Sequence, residues 1–235
     1  QNIVINTILK NYFPKLSIPP HCADEGLSLG CIEYLRKMHN QPSFDKSNFP
    51  YWQDDVIEET PTEKTIEIVA DLLNRHKIVG WMQGRGEIGP RALGNRSILF
   101  RPDIRGGKDR INEIKKREQF RPFGCTVIDE WANEYFDMVD DKYMLYTSKL
   151  KDITKFSAIT HVDHTCRVQK LSYPDNRLFY DLIYQFYQKS KLPLLGNTSL
   201  NLNGKPICST KDDALKLLDE TNLDVLCVGN NIYYN

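Results

Sequence analysis

No apolar run in these 235 residues approaches the roughly 18–20 needed to cross a bilayer as a helix. No basic and apolar leader with a small-residue cleavage site opens the chain, so no secretory signal is read. The six cysteines, Cys22, Cys31, Cys125, Cys166, Cys208 and Cys227, include no CxxC pair. Their wide spacing reads as reduced, mostly buried thiols of a cytoplasmic protein. Formal net charge is zero, which removes any global pull toward nucleic acid or membrane. The patterns GxxxxGK(S/T), GxSxG and HExxH are missing. A P-loop phosphate cradle, a nucleophile elbow and a zinc-protease helix are thereby excluded. There is no internal repeat and no low-complexity tract. The chain begins Gln-Asn-Ile-Val without an initiator methionine, which reads as a trimmed or partial chain.

What is present is charge segregated within a neutral whole. From Arg85 to Arg121 there are eleven Lys and Arg against five Asp and Glu; the other residues hold 20 and 26. A basic half-site inside a neutral protein suits a small anion better than a long nucleic acid, whose binders carry an overall basic domain or stripe. The centre of that excess is Gly84-Arg-Gly-Glu-Ile-Gly-Pro-Arg-Ala-Leu-Gly-Asn-Arg-Ser97, with three arginines, one carboxylate and four glycines. Arginine offers a planar fork of donors matched to phosphate and carboxylate. Glycine permits close backbone approach and positive φ. Together they read as a polyanion pocket; the plainer alternative is a solvated basic loop with an internal Arg–Glu bridge.

Periodicity places this segment between elements. Ile3, Ile5, Ile8, Leu9 and Tyr12 approximate a helical stripe stopped by Pro14. Leu16–Ile18 reads as a short strand, and Asp24 as the cap of a helix carrying Leu27, Leu29, Cys31, Ile32 and Leu35. Residues 40–60 are polar and proline-bearing, a linker or surface loop. Thr60 reads as an N-cap, Pro61 as the first helical residue and Glu63 as the end of a capping box. Strands are expected at 78–82, 97–100, 124–128, 193–195 and 225–228. Helices are expected at 108–116, 129–136, 177–190 and 211–219. The mixture predicts an α/β or α+β layered domain of substantial core.

Three further segments collect polar groups. In 112–123, Lys115, Arg117 and Arg121 fall within seven residues. Cations at a helix end are favourable anyway, but Phe120 and Phe123 bracket Arg121 and would hold it. In 161–169, the odd positions His161, Asp163, Thr165, Arg167 and Gln169 are all polar, as on one face of a strand. His164 would then point away from His161 and Asp163, which argues against a metal there. In 194–204, an apolar strand runs into Asn197, Thr198, Ser199, Asn201 and Asn203, groups able to hold sugar and phosphate but also ordinary turn formers. Two cationic turns, a polar strand face and an Asn/Ser loop are the parts an adenylate-forming pocket requires, where chemistry is mostly positioning and charge neutralisation.

The runs GRGEIGPRALGNRS (84–97), IKKREQFRPFG (114–124), HVDHTCRVQ (161–169) and NTSLNLNGKPI (197–207) resemble, in order, motifs of the O-carbamoyltransferases of the nodulation protein U and cephalosporin carbamoyltransferase family. The resemblance implies a YrdC-like domain over 63–235, a twisted sheet with flanking helices. It implies a linker at 41–62 and, over 1–40, the tail of a Kae-like, actin/hexokinase-like domain. The implied reaction uses ATP, with Mg2+, and carbamoyl phosphate to form carbamoyl adenylate, whose carbamoyl group passes to a hydroxyl-bearing small-molecule acceptor. Neither nucleic acid nor membrane is an expected partner. Carried over by position, Lys115, Arg121 and Arg91 would be catalytic, binding carbamoyl phosphate or the adenylate with Arg167. Asn197 and Ser199 would complete the nucleotide pocket, and Arg85, Glu87, Arg96, Arg117, His161 and Asn201 share those motifs. Asp24 would match an aspartate that helps hold a divalent metal in the Kae-like domain, whose other ligands would lie upstream. The alternatives are a threonylcarbamoyl-adenylate enzyme of tRNA modification and a non-catalytic nucleotide-binding module.

Overall fold

The computed structural model describes residues 2–137 and 140–235. The stripe at the start forms helix α1 (Ile3–Tyr12), capped by the Asn2 side chain, which accepts from the amides of Val4 and Ile5. Residues 16–18 form no strand and pair with no strand among the described residues. Helix α2 (Leu27–Met38) follows a single 3-10 turn, Asp24–Gly26. Both helices keep their apolar stripes in the open: Ile5, Ile8, Leu27, Leu35 and Met38 are all exposed.

The segment 41–62 holds strand β1 (Val56–Ile57). Helix α3 (Glu63–Asn74) is capped by Thr62, not Thr60; the Thr62 hydroxyl accepts from the Thr65 amide, leaving Pro61 before the cap. Next come β2 (Val79–Met82), β3 (Gly84–Arg85), β4 (Arg96–Phe100), α4 (Gly107–Ile114) and β5 (Gly124–Ile128). A 3-10 turn leads to α5 (Ala132–Tyr135), then β6 (Phe136–Asp137), β7 (Thr147–Leu150) and β8 (Thr165–Leu171). The chain ends with α6 (Arg177–Ser190), β9 (Leu194–Ser199), α7 (Lys211–Asp219), β10 (Val225–Val228) and β11 (Asn231–Tyr234).

Among the described residues nine strands form one mixed sheet, in the order β11-β10-β2-β4-β9-β5-β8-β7-β6. The pairs β10–β2 and β5–β8 are parallel and the others antiparallel. Strands β1 and β3 make a separate antiparallel ribbon. β2, β4, β5 and β10 are buried along their whole length, which explains their apolar or small-residue runs, broken only by the buried Arg96 that opens β4. Helix α3 packs on α6. Val69 and Leu73 from α3 and Phe179, Leu182, Ile183 and Phe186 from α6 are fully buried. Each such side chain contributes about 1.5–3 kcal/mol by leaving water.

One correction concerns the polar strand. β8 starts at Thr165, so His161–His164 is a turn and not a strand face. The Asp163 carboxylate accepts from the Thr165 amide at 3.1 Å and its hydroxyl at 2.7 Å, and His164 has a φ of 62°. An aspartate that ties its own backbone two residues on makes a turn, and pairing begins only after it. Within the sheet, Leu99, Asn197, Gly124, Arg167 and Thr147 lie on one rung across five strands. Residues opposed in register share a face, so Asn197 and Arg167 project together on either side of a glycine.

Candidate functional site

The arginine–glycine segment is a loop crossing from β3 to β4. Gly89 has a φ of 95° and Gly94 a φ of 112°; a β-carbon at the first would run into the Pro20 carbonyl and at the second into the Phe179 ring. A side chain at either would be strained and would clash. The segment 49–55 braces the loop from outside. Ile88 N donates to Pro50 O at 2.8 Å, Gln53 Nε2 to Glu87 O at 2.7 Å, and Tyr51 Oη to Leu93 O at 3.1 Å. The stretch expected as a linker thus lies along the loop that carries the site.

The loop sorts its charges. Arg96 is fully buried and donates to four carbonyls, those of Gln83, Asn95, Asp55 and Gly84. Arg85 Nη1 donates to Gln53 O at 3.0 Å, away from the cavity described below. Glu87 is also fully buried; its Oε1 accepts from the amides of Leu93 (2.6 Å), Asn95 (2.7 Å) and Arg96 (3.3 Å). Burial pushes its carboxyl pKa up despite those amides. These three residues, expected to touch ligand, hold the loop. Arg91, at its turn, faces a cavity.

That cavity has a volume of about 280 Å³. Arg91, Arg117, Arg121 and Arg167 line it, with Asn197, Ser199 and Met144. No carboxylate is among the lining residues described. The Nε of Arg91 and of Arg167 are buried without a hydrogen-bond partner among the described residues, and so is Asn197 Oδ1. Burial, then the neighbouring Arg91, lowers the Arg167 pKa to about 9; burial, then Arg121, lowers Arg117 to about 10. Arg117 is held in place: its Nε donates to Asn112 Oδ1 at 2.5 Å and its guanidinium lies 4.3 Å from the Phe123 ring centroid. Arg121 pairs with Glu118 at 2.8 Å near solvent. Phe120 is 75% exposed, so Phe123 alone of the bracketing rings supports an arginine, and that arginine is Arg117.

Lys115 does not line the cavity. Its buried Nζ donates to Ser199 O (2.5 Å), Asn201 O (3.0 Å) and Asn201 Oδ1 (2.8 Å), tying the turn after β9. Burial and the charges of Arg117 and Arg167 lower its pKa to about 7. Ser199 Oγ donates to Asn201 Oδ1 at 2.6 Å, so Asn201 serves this turn too. His161 sits behind the wall, its Nε2 3.3 Å from Phe123 O, with a pKa lowered by burial and by Arg167. Asp24 is exposed in its 3-10 turn, and among the described residues no group of three His, Cys, Asp or Glu is placed to hold a metal. Among the described residues, too, no helix is long and apolar enough to cross a membrane. Asp141 was not singled out in the sequence. It is buried, with a pKa raised to about 6 by burial, and accepts from the amides of Tyr143, Leu145 and Tyr146.

A protein-family profile described as Carbamoyltransferase C-terminus matches residues 70–235. The chain belongs to this carbamoyltransferase family. It is 35% identical over 242 residues to nodulation protein NolO of Bradyrhizobium diazoefficiens, covering 92% of this chain and 44% of that protein. It is 31% identical over 231 residues to the 3'-hydroxymethylcephem-O-carbamoyltransferase of Amycolatopsis lactamdurans, covering 94% and 44%. The chain thus spans under half the length of these relatives. In fold it is similar to full-length HypF in a phosphate- and nucleotide-bound form, with a TM-score of 0.50 and 21% identity over 72% of this chain and 22% of the other. It is equally similar to Sua5 of P. abyssi complexed with L-threonine, with a TM-score of 0.50 and 14% identity over 72% and 48%. The architecture is therefore the YrdC-like α/β fold.

Proposed function

We propose that residues 63–235 of this family member form a carbamoyl-activating domain, taking ATP and carbamoyl phosphate to carbamoyl adenylate. The observation that carries the reading is the cavity with four arginines and no carboxylate, in which two buried guanidinium Nε atoms lack partners. Buried cations that repel one another are costly unless an anion joins them. Small-molecule sites run from about 300 to 1,000 Å³, so this cavity matches a compact phosphate and not a whole nucleotide. A second hollow of about 390 Å³ is lined by Leu202, Ile207, Cys208 and Leu217 together with polar groups that include Asn201, which accepts from Ser199 of the first cavity. The nucleoside belongs there, its base against the apolar side chains and its sugar within reach of the polar ones.

Chemically, water cleaves carbamoyl phosphate to carbamate and phosphate. A carbamate oxygen then attacks the α-phosphorus of ATP, the bond to the bridging oxygen breaks, and pyrophosphate leaves. Arg91 and Arg167 neutralise the charge gathered at phosphorus, while Arg117 and Arg121 hold the leaving phosphates. Asn197 Oδ1 is free to accept from the carbamate amino group. Lys115 acts through the turn it ties and not by contact. Mg2+ usually takes one or two carboxylates besides phosphate oxygens; this lining offers none, so no step is routed through a protein-held metal. An acceptor hydroxyl oxygen would later attack the carbamoyl carbon, releasing AMP and the hydroxyl proton.

Within the same proposal the protein is cytoplasmic, and residues 1–40 are the tail of a Kae-like domain to which Asp24 would contribute. Calorimetry tests the core of it. Carbamoyl phosphate should bind the folded chain, and ATP should bind with a separate contribution. If neither binds to protein whose circular dichroism is native, the reading fails. Threonine- and bicarbonate-dependent pyrophosphate release would replace it with the tRNA-modifying alternative.

A further inference from the structure

Two walls of the cavity are loops, and a buried carboxylate ties each at its base. Oε1 of Glu87 gathers the amides of Leu93, Asn95 and Arg96, closing the loop whose turn presents Arg91. Asp141 Oδ1 accepts from Tyr143 N at 2.8 Å, and its Oδ2 from Leu145 N at 2.5 Å and Tyr146 N at 2.8 Å. That second loop presents Met144, whose φ is 57°, to the same cavity. A carboxylate can satisfy its charge with an arginine or with backbone amides. Both of these take amides, Glu87 through Oε1 alone and Asp141 through both oxygens, and neither forms a side-chain ion pair among the described residues. The negative charge still acts at a distance, since Asp141 favours the charged forms of Arg91 and Arg167.

We propose that Glu87 and Asp141 are positioning residues for anion binding: each fixes one cavity wall through main-chain amides and so leaves Arg91 and Arg167 unpaired for ligand. The inference rests on the anion-site reading above. A guanidinium in place of those amides would quench the cavity, and loss of the carboxylate would leave three buried donors unsatisfied.

The test uses the whole chain with two readouts, amide hydrogen exchange and calorimetry with inorganic phosphate. Glu87→Ala should lower protection at Leu93, Asn95 and Arg96 by at least ~10-fold while β10 amides keep theirs. Asp141→Ala should do the same at Tyr143, Leu145 and Tyr146. Glu87→Gln, which keeps an accepting oxygen, should hold both protection and affinity within about threefold of the parent. Phosphate affinity of Glu87→Ala should fall as far as that of Arg91→Ala, and the double variant no further, because one acts through the other. Full protection in folded Glu87→Ala would overturn the proposal, as would double-variant losses that multiply. Glu87→Met, close in shape but unable to accept at that oxygen, replaces Glu87→Ala if the latter does not fold. If the parent protein binds no phosphate, the functional reading falls, while exchange still judges the carboxylates.

Discussion

The front and back of one loop use the same residue type in opposite ways. On the back, Arg96 gives its two Nη groups to four main-chain carbonyls, with only its Nε lacking a partner among the described residues, and Arg85 gives one donor to Gln53. On the front, Arg91 meets Arg167 across a cavity; among the described residues their Nε atoms are buried without a partner, and no main-chain carbonyl gathers around their Nη groups as around those of Arg96. Arginine density in a motif therefore does not measure how many arginines meet ligand. What separates the two sets is whether main-chain carbonyls converge on the guanidinium.

The largest expected break in this comparison is on the back. Arg96→Ala removes a buried cation and strands four carbonyls, and should cost about 3–5 kcal/mol in urea unfolding. Next is Arg167→Ala, which should weaken carbamoyl phosphate by about 100-fold, or ~2.7 kcal/mol, with little loss of stability. If Arg96→Ala were the stable variant and Arg167→Ala the unfolded one, front and back would be misassigned. A third effect is a proton count. Lys115 has a pKa of about 7 beside Arg117 and Arg167, and a bound anion offsets those charges and raises it. Binding at pH 8 should therefore take up a fraction of a proton, read from heats in buffers of different ionisation enthalpy; proton release would contradict the sign. The same depressed lysine makes stability rise with pH between about 7 and 10.5, where the unfolded chain binds more protons. The smallest effect belongs to Arg85→Ala, expected within about 0.5 kcal/mol in stability and unchanged in anion affinity.

Lys115 and Glu87 show where sequence reading reaches its limit. Both lie in motifs rich in ligand-seeking residues, and both turn inward. Nothing in a spacing tells whether an ammonium will find Ser199 and Asn201 carbonyls or a phosphate. Lys115→Ala is accordingly no clean probe of binding, because it leaves the acceptors of the Ser199–Asn201 turn unpaired. The same limit holds for α1 and α2. Their apolar stripes marked helices correctly, but Leu27 is 65% exposed where α3 buries Leu73 completely. Period records an amphipathic face; it does not record what lies against it. β7 and β11 were missed because Thr147–Leu150 and Asn231–Tyr234 lack the apolar runs of the central strands. They are held by pairing with β8 and β10, which is a long-range matter for β7.

By itself the sequence determined the secondary elements of the core, the layered α/β class, the family and the basic half-site, because period, capping and charge density are local properties of the chain. Only the tertiary structure decided which arginines are free. That choice depends on register across β9, β5 and β8, which sets Asn197 and Arg167 on either side of Gly124. It depends equally on two buried carboxylates that take amides from loops instead of guanidinium groups, an outcome settled by where the backbone donors point once the chain has closed on itself.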